Sequence, residues 1–157
     1  MRIAIPINYH VAIVGATGAV GIELLRVMER RDFPVASLRL LASPRSAGKQ
    51  LEFRGGQIAV EALKEDSFAG IDLAFFSAGS GTSKQFAPLA QKAGAIVVDN
   101  SSAFRMDNDV PLIIPEINPD DVRDHRGIIA NPNCTTAVAL MALYPLHRAF
   151  GVRRVFA

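Results

Sequence analysis

The chain contains a single cysteine, Cys134, at the point where the irregular stretch Asn131-Pro132-Asn133 gives way to the apolar run CTTAVALMALYPLHRAF. If a helix starts near Thr135, this thiol lies at its positive end, where unpaired backbone amides and the macrodipole favour a negatively charged sulfur. Such a sulfur attacks carbonyl carbon. The side-chain amides of Asn131 and Asn133 could orient that carbonyl or hydrogen-bond the tetrahedral oxyanion formed from it. The plainer reading is an inert, buried thiol, the usual state of a free cysteine.

A second constellation lies near the start of the chain. In GATGAVG the glycines Gly15, Gly18 and Gly21 stand directly between an apolar β-branched run and a helical pattern. Glycines there permit a sharp turn and let a pyrophosphate approach the backbone at a helix N-terminus; a Gly-rich turn without a ligand is the alternative. The end of the next strand distinguishes the two nicotinamide dinucleotides, because an acid accepts from a ribose 2′-hydroxyl whereas a base suits a 2′-phosphate. From Pro34 to Gln50 there is no acid, and ASPRSAGK offers Ser43, Arg45, Ser46 and Lys49. Hydroxyls and cations of this kind bind phosphate, which favours NADP over NAD; a solvated basic loop is the bland alternative. A Tyr-x-x-x-Lys pair, which another class of GATG-bearing reductases would need, is absent: Tyr144 is followed four residues on by Arg148, which does not deprotonate.

The elements that must hold these residues follow from periodicity. VAIV, SLRLLAS, IDLAFFSAG and AIVVDN read as strands. Helices are expected after the glycine turn, with Val20, Leu24, Leu25, Val27 and Met28 as its buried face, over SKQFAPLAQKAG closed by Gly94, and from Cys134 onward with His147 and Arg148 at its negative end. Pro88 must sit early in the second of these or kink it, and Pro145 falls late in the third. QLEFRGGQIAVEAL reads as a hairpin about Gly55-Gly56, while PLIIPEI and GIIANP are two further strand candidates. Alternating strands and helices with near-continuous apolar strands imply a Rossmann-like, doubly wound α/β fold with a mostly parallel sheet. The closing VRRVFA looks like the opening of another strand. Hence residues 1–150 read as one nucleotide-binding domain and 151–157 as the start of a second.

Composition narrows the functional classes. A chain of 157 residues fits one domain, and 50% hydrophobic residues with a mean hydropathy of +0.23 point to apolar surface that meets a partner. A net charge of +2 with no Lys/Arg run gives no footprint for nucleic acid. The first ten residues, MRIAIPINYH, are broken by Pro6 and Asn8 and do not read as a signal peptide, and no stretch reaches the roughly 18 apolar residues of a membrane span. A lone thiol suits a reducing compartment, so a cytoplasmic location is expected. No metal-ligand spacing is present.

GATGAVG, LASPRSAGK, FFSAGSGTS, VVDNSSAFR, VPLIIPEIN and IIANPNCTT, in this order and at these separations, resemble the N-terminal half of the aspartate-semialdehyde dehydrogenase family. The resemblance runs from about His10 to the end of the chain. It implies that Cys134 is the nucleophile, with Asn133 beside it, and that Arg105 binds the phosphate or acyl phosphate, with Asn100 and Ser101 close by. It assigns Thr17, Gly18, Ala19 and Val20 to the pyrophosphate turn, Ser43, Arg45 and Ser46 to the 2′-phosphate, and Ser77, Ala78, Gly79 and Thr82 to a loop flanking the cofactor. The implied reaction is NADP-dependent interconversion of aspartyl phosphate and aspartate semialdehyde through a cysteine thioester, in the synthesis of lysine, threonine and methionine.

The resemblance also implies a general-base histidine and a carboxylate-binding arginine from a second domain that forms the dimer interface, and neither is expected within these 157 residues. His10 precedes the first strand, His125 lies in a charged loop, and His147 is about 20 Å along the helix from Cys134. All three read as structural or solvated. The isolated chain is therefore expected to bind cofactor without turnover. Two alternatives stand beside this: a nucleotide-binding module with no catalysis, and the related N-acetyl-glutamyl-phosphate reductases, against which the paired Thr135-Thr136 and DNSSAFR weigh.

Overall fold

A computed structural model describes residues 8–156. The reading of MRIAIPINYH as no leader concerns mainly residues 1–7, which lie outside the described residues, as does Ala157.

The strands β1 (Tyr9–Val14), β2 (Val35–Ala42), β3 (Gln50–Phe53), β4 (Gly56–Ala62), β5 (Leu73–Phe76), β6 (Ile96–Asp99) and β7 (Ile128–Ala130) form one sheet in the order β3-β4-β2-β1-β5-β6-β7. Every neighbouring pair is parallel except β3 with β4. The order reverses at β1, which pairs with β2 on one side and β5 on the other, and this creates the switch point of a doubly wound sheet.

β1 shows why the sheet is covered twice. Val11, Ala12, Ile13 and Val14 are all fully buried, yet successive side chains point to opposite faces. Val11 and Ile13 pack with Leu25 and Met28 of α1 (Ala19–Arg30), whereas Ala12 and Val14 share a core with Ala87 and Ala90 of α2 (Ser80–Lys92). A continuous apolar strand is thus the signature of a helix on each side. The third helix, α3 (Cys134–Phe150), has no buried residue, and Val138 and Phe150 are 73% and 81% exposed. Here lies the apolar surface implied by the composition.

Several local expectations are corrected. Val20 is 51% exposed and stands outside the buried face of α1. The hairpin turns at Arg54-Gly55, both at positive φ, one residue before the predicted Gly-Gly pair. PLIIPEI forms no strand; Leu112 makes a single parallel bridge to Ala130, and Ile113 N–H donates to the Ala130 carbonyl. Pro111 and Pro115 confine this segment to one bridge, because proline supplies no ladder donor. α2 starts at Ser80, three residues before the predicted helix, and Pro88 lies in its interior on the exposed face, where the carbonyl it frees can meet water. Residues 151–156 have no regular secondary structure, in place of the strand opening read from VRRVFA.

Candidate functional site

α1, α2 and α3 follow β1, β5 and β7 respectively, so all three begin at the carboxyl edge of the sheet. The turn after β1 is built on backbone. Gly15 N–H and Ala16 N–H both donate to the Leu41 carbonyl at 2.8 and 3.2 Å, and Gly18 N–H donates to the Gly15 carbonyl at 3.0 Å. Gly15 has φ +90°, and a Cβ there would lie 2.4 Å from the Ser77 carbonyl oxygen. Only glycine allows the ends of β1 and β5 to approach so closely. Gly21 is buried for a different reason: its Cβ would meet the Gly15 carbonyl oxygen at 2.4 Å, so it lets α1 sit down on the turn.

A cleft of about 460 Å³ opens over these strand ends. Of the residues predicted to hold a cofactor, Gly15, Thr17, Gly18, Ser43, Ser77, Ala78 and Thr82 line it. Gly21 does not; its place is beneath the turn. Ala19 and Val20 form the first turn of α1, whose cap, Gly18, contributes no side-chain hydrogen bond and which carries no acid. Their amides therefore have no side-chain capping partner among the described residues. Gly79, at φ +87°, caps α2 in the same bare fashion. Arg45 is exposed on a single 3-10 turn, Pro44–Ser46, and Thr17 Oγ1 lies 3.4 Å from Ser46 Oγ, joining that turn to the glycine loop. Sequence reasoning missed Leu63 and Phe86, the apolar walls of the cleft. They come from the end of β4 and from α2, and only the strand order brings them together.

The thiol stands beyond β7, three strand spacings or about 14 Å from β1. Cys134 is exposed and is the first residue of α3. Asn133 caps the helix, its Oδ1 accepting from Thr135 N–H at 3.0 Å and Thr136 N–H at 3.4 Å. Its side-chain carbonyl oxygen is thus taken up by the helix, leaving the amide NH₂ outside the cap. Asn131 is less free than expected: its Nδ2 donates to Asn100 Oδ1 at 2.7 Å. Arg105 reaches the same place from the loop after β6, with Nε donating to the Asn131 carbonyl at 2.9 Å and Nη2 to the Asn100 carbonyl at 3.1 Å. Two of its donors fix the guanidinium, and the remainder can bind an anion.

Ser101 is bonded within its own loop. Its hydroxyl donates to Asp99 Oδ2 at 2.7 Å and accepts from Ala103 N–H at 3.0 Å, so it is turned into the loop. Asp99, which sequence reasoning passed over, is fully buried and also accepts from Ser83 Oγ at 2.6 Å. The histidines lie elsewhere. His10 Nδ1 is 2.7 Å from Ser37 Oγ at the amino edge of the sheet, His125 Nδ1 accepts from Gly127 N–H just before β7, and His147 is in the last turn of α3. Among the described residues no cluster of three or more metal-ligating side chains occurs, and no helix is long and apolar enough to cross a membrane.

A glycine turn, a bare helix start and a cleft at the switch point form a dinucleotide-binding arrangement. The family model for the semialdehyde dehydrogenase NAD-binding domain matches residues 10–125, a span that contains the cleft and Arg105. The chain belongs to this family. Among curated proteins, this semialdehyde dehydrogenase domain is 55% identical over 150 residues to an aspartate-semialdehyde dehydrogenase of Synechocystis, covering 96% of this chain and 44% of that protein. Among solved structures, it matches aspartate semialdehyde dehydrogenase II of Vibrio cholerae complexed with ASA, at 47% identity and a TM-score of 0.88, covering 92% of this chain and 48% of that one. It also matches the Candida albicans aspartate semialdehyde dehydrogenase with NADP, at 27% identity and a TM-score of 0.76, again with 92% and 48% covered. The chain thus spans a little under half the length of these relatives. A nicotinamide cofactor is the ligand class of this fold and family.

Proposed function

We propose that this chain is the NADP-binding and thiol-bearing part of an aspartate-semialdehyde dehydrogenase, which reductively dephosphorylates L-aspartyl 4-phosphate to the semialdehyde. The observation that carries the proposal is Cys134 at the start of α3, with Arg105 tied to the carbonyls of Asn100 and Asn131 two strands from the cofactor cleft. Residues 1–150 are proposed as the cofactor-binding unit ending in the thiol-bearing helix. Residues 151–157 lead toward the portion of the relatives that this chain does not span.

The cleft fits the cofactor by its chemistry. Backbone approaches at Gly15 leave no side chain in the way of a pyrophosphate, and the bare amides of Ala19 and Val20 suit its charge. Ser43, Arg45 and Ser46 supply hydroxyls and a cation where an acid would select NAD, which supports NADP. When bound, the nicotinamide supplies the hydride that takes an acyl group to the aldehyde level.

The remaining steps fall to the protein. The Cys134 sulfur adds to the acyl-phosphate carbonyl, the free amide of Asn133 faces the oxygen that gains charge, and the C–O bond to phosphate breaks to leave a thioester. Arg105 holds the departing phosphate by its unoccupied donors. After reduction, the C–S bond breaks and the sulfur leaves as thiolate, ready for another cycle. Phosphate, aspartyl phosphate and the semialdehyde are the small-molecule partners in this reading, and homodimerisation and a cytoplasmic location are proposed with it. His10 and His125 lie at the far edge of the sheet from Cys134, so the proton acceptor is proposed to come from outside this chain, which then binds cofactor without turnover. Fluorescence titration with NADPH and NADH tests the reading: saturable binding that favours NADPH supports it, and equal affinity for both overturns the assignment of the Ser43–Ser46 turn.

A further inference from the structure

Asp99 is fully buried at the carboxyl end of β6, and no cation pairs with it among the described residues. A carboxylate in such a place is sustained only by hydrogen bonds. Its partners are distributed in an informative way. Oδ1 accepts from Ser83 Oγ on α2 at 2.6 Å and from Ser101 N–H at 3.2 Å, and Oδ2 accepts from Ser101 Oγ at 2.7 Å. Ser101 Oγ in turn accepts from Ala103 N–H. Two side-chain-to-backbone turns, one from Asp99 and one from Ser101, therefore shape the loop that delivers Arg105. The Asp99 main chain continues the link, because its carbonyl accepts from Asn131 N–H at 2.8 Å, three residues before Cys134.

One residue thus touches the helix that begins at the cofactor cleft, the loop that carries the anion-binding arginine, and the turn that carries the thiol. Ser83 is fully buried and lies one residue beyond Thr82, which lines the cleft; its own N–H donates to the Gly79 carbonyl. We infer that Asp99 is the positioning residue of the site: its carboxylate sets α2 against the Arg105 loop, and its two arms act on different ligands. The Ser83 arm holds the α2 end of the cofactor cleft, and the Ser101 arm holds the Arg105 guanidinium. This inference rests on the reading of the site given above. An inert core carboxylate would destabilise every part of the site alike when its contacts are cut, whereas a two-armed anchor separates them.

The test uses the complete protein, assayed in the direction that consumes NADP⁺, inorganic phosphate and aspartate semialdehyde, with Ser83→Ala and Ser101→Ala. Each variant removes one hydroxyl and keeps the carboxylate. Ser101→Ala is expected to raise the KM for phosphate about tenfold and leave the KM for NADP⁺ within about twofold, and Ser83→Ala to do the reverse, since each breaks one charge-assisted hydrogen bond. Ser101→Thr, which restores the hydroxyl, is expected to recover most of the phosphate affinity. Both constants moving together in both variants, or neither moving while the melting temperature falls, would overturn the positioning role. If the unaltered protein shows no phosphate dependence at all, the reading of the site fails first and takes this inference with it. Asp99→Asn, with thermal unfolding measured alongside, is expected to raise both constants in a protein that still folds.

Discussion

Replacing Gly15 by alanine probes the close backbone approach between β1 and β5. The substitution introduces two separate penalties. At φ +90° an L residue is strained by roughly 1–2 kcal/mol. The new methyl would also lie 2.4 Å from the Ser77 carbonyl oxygen and 2.8 Å from its carbon, so β1 and β5 must part, at an overpacking cost of about 1–3 kcal/mol. The total of about 2–5 kcal/mol corresponds to a fall in melting temperature of roughly 4–20 °C for a domain of this size. Two controls separate the terms. Gly48 has φ +84° but nothing within 4 Å of its would-be Cβ, so Gly48→Ala carries the strain alone. Gly21 is helical, with the Gly15 carbonyl oxygen at 2.4 Å, so Gly21→Ala carries the contact alone, partly offset by about 1 kcal/mol of helix propensity. Thermal unfolding followed by circular dichroism should rank Gly15→Ala as the most damaging of the three. NADPH titration below the transition should show weakened binding for Gly15→Ala, because Ser77 and Ala78 line the cleft, and unchanged binding for Gly48→Ala. If Gly15→Ala melts no lower than Gly48→Ala, the close approach of the two strands is wrong.

Cys134→Ser is expected to abolish turnover in the complete protein while NADPH affinity stays within about twofold; joint loss of both would make the thiol structural. Arg45→Ala should weaken NADPH about 10- to 100-fold with little change for NADH, and equal loss of both would remove Arg45 from the 2′-phosphate site. Asn133→Ala should lower stability by about 1 kcal/mol through loss of the α3 cap, measured by urea unfolding. Asn133→Asp should keep the cap yet place a negative charge beside Cys134, so that alkylation by iodoacetate slows more than alkylation by iodoacetamide. Equal slowing with both reagents would show that the side chain at 133 does not face the sulfur.

The sequence was legible wherever one residue type had one physical use. The glycine turn, the doubly buried β1 and the helix that starts at Cys134 all follow from local pattern, because a glycine cluster, an unbroken apolar run and an apolar helical run after Asn-Pro-Asn each leave a mark within a few residues. PLIIPEI misled because its apolar run is what a strand would show, while the two prolines that deny it a ladder are equally compatible with an edge. Val20 was misplaced because apolar spacing does not show where a helix projects past the sheet. Leu63 and Phe86 were invisible for a topological reason: they are neighbours only after β4 and α2 are arranged about β1. The bonding of Asp99 and Ser101 was not legible because a polar residue after an apolar strand ordinarily faces solvent, and here the hydrogen-bonding capacity of the loop is closed on itself.

A formal charge of +2 describes the chain as nearly neutral, and net charge alone would give an anion little to find. The three helix starts change that accounting, since none carries an acid in its first turn and all lie on one edge of the sheet. Each contributes a fixed partial charge of roughly half a unit from its backbone. Part of the electrostatic guidance of a phosphorylated ligand toward this edge is thereby written into peptide dipoles. It is insensitive to pH, and no single side-chain substitution can erase it.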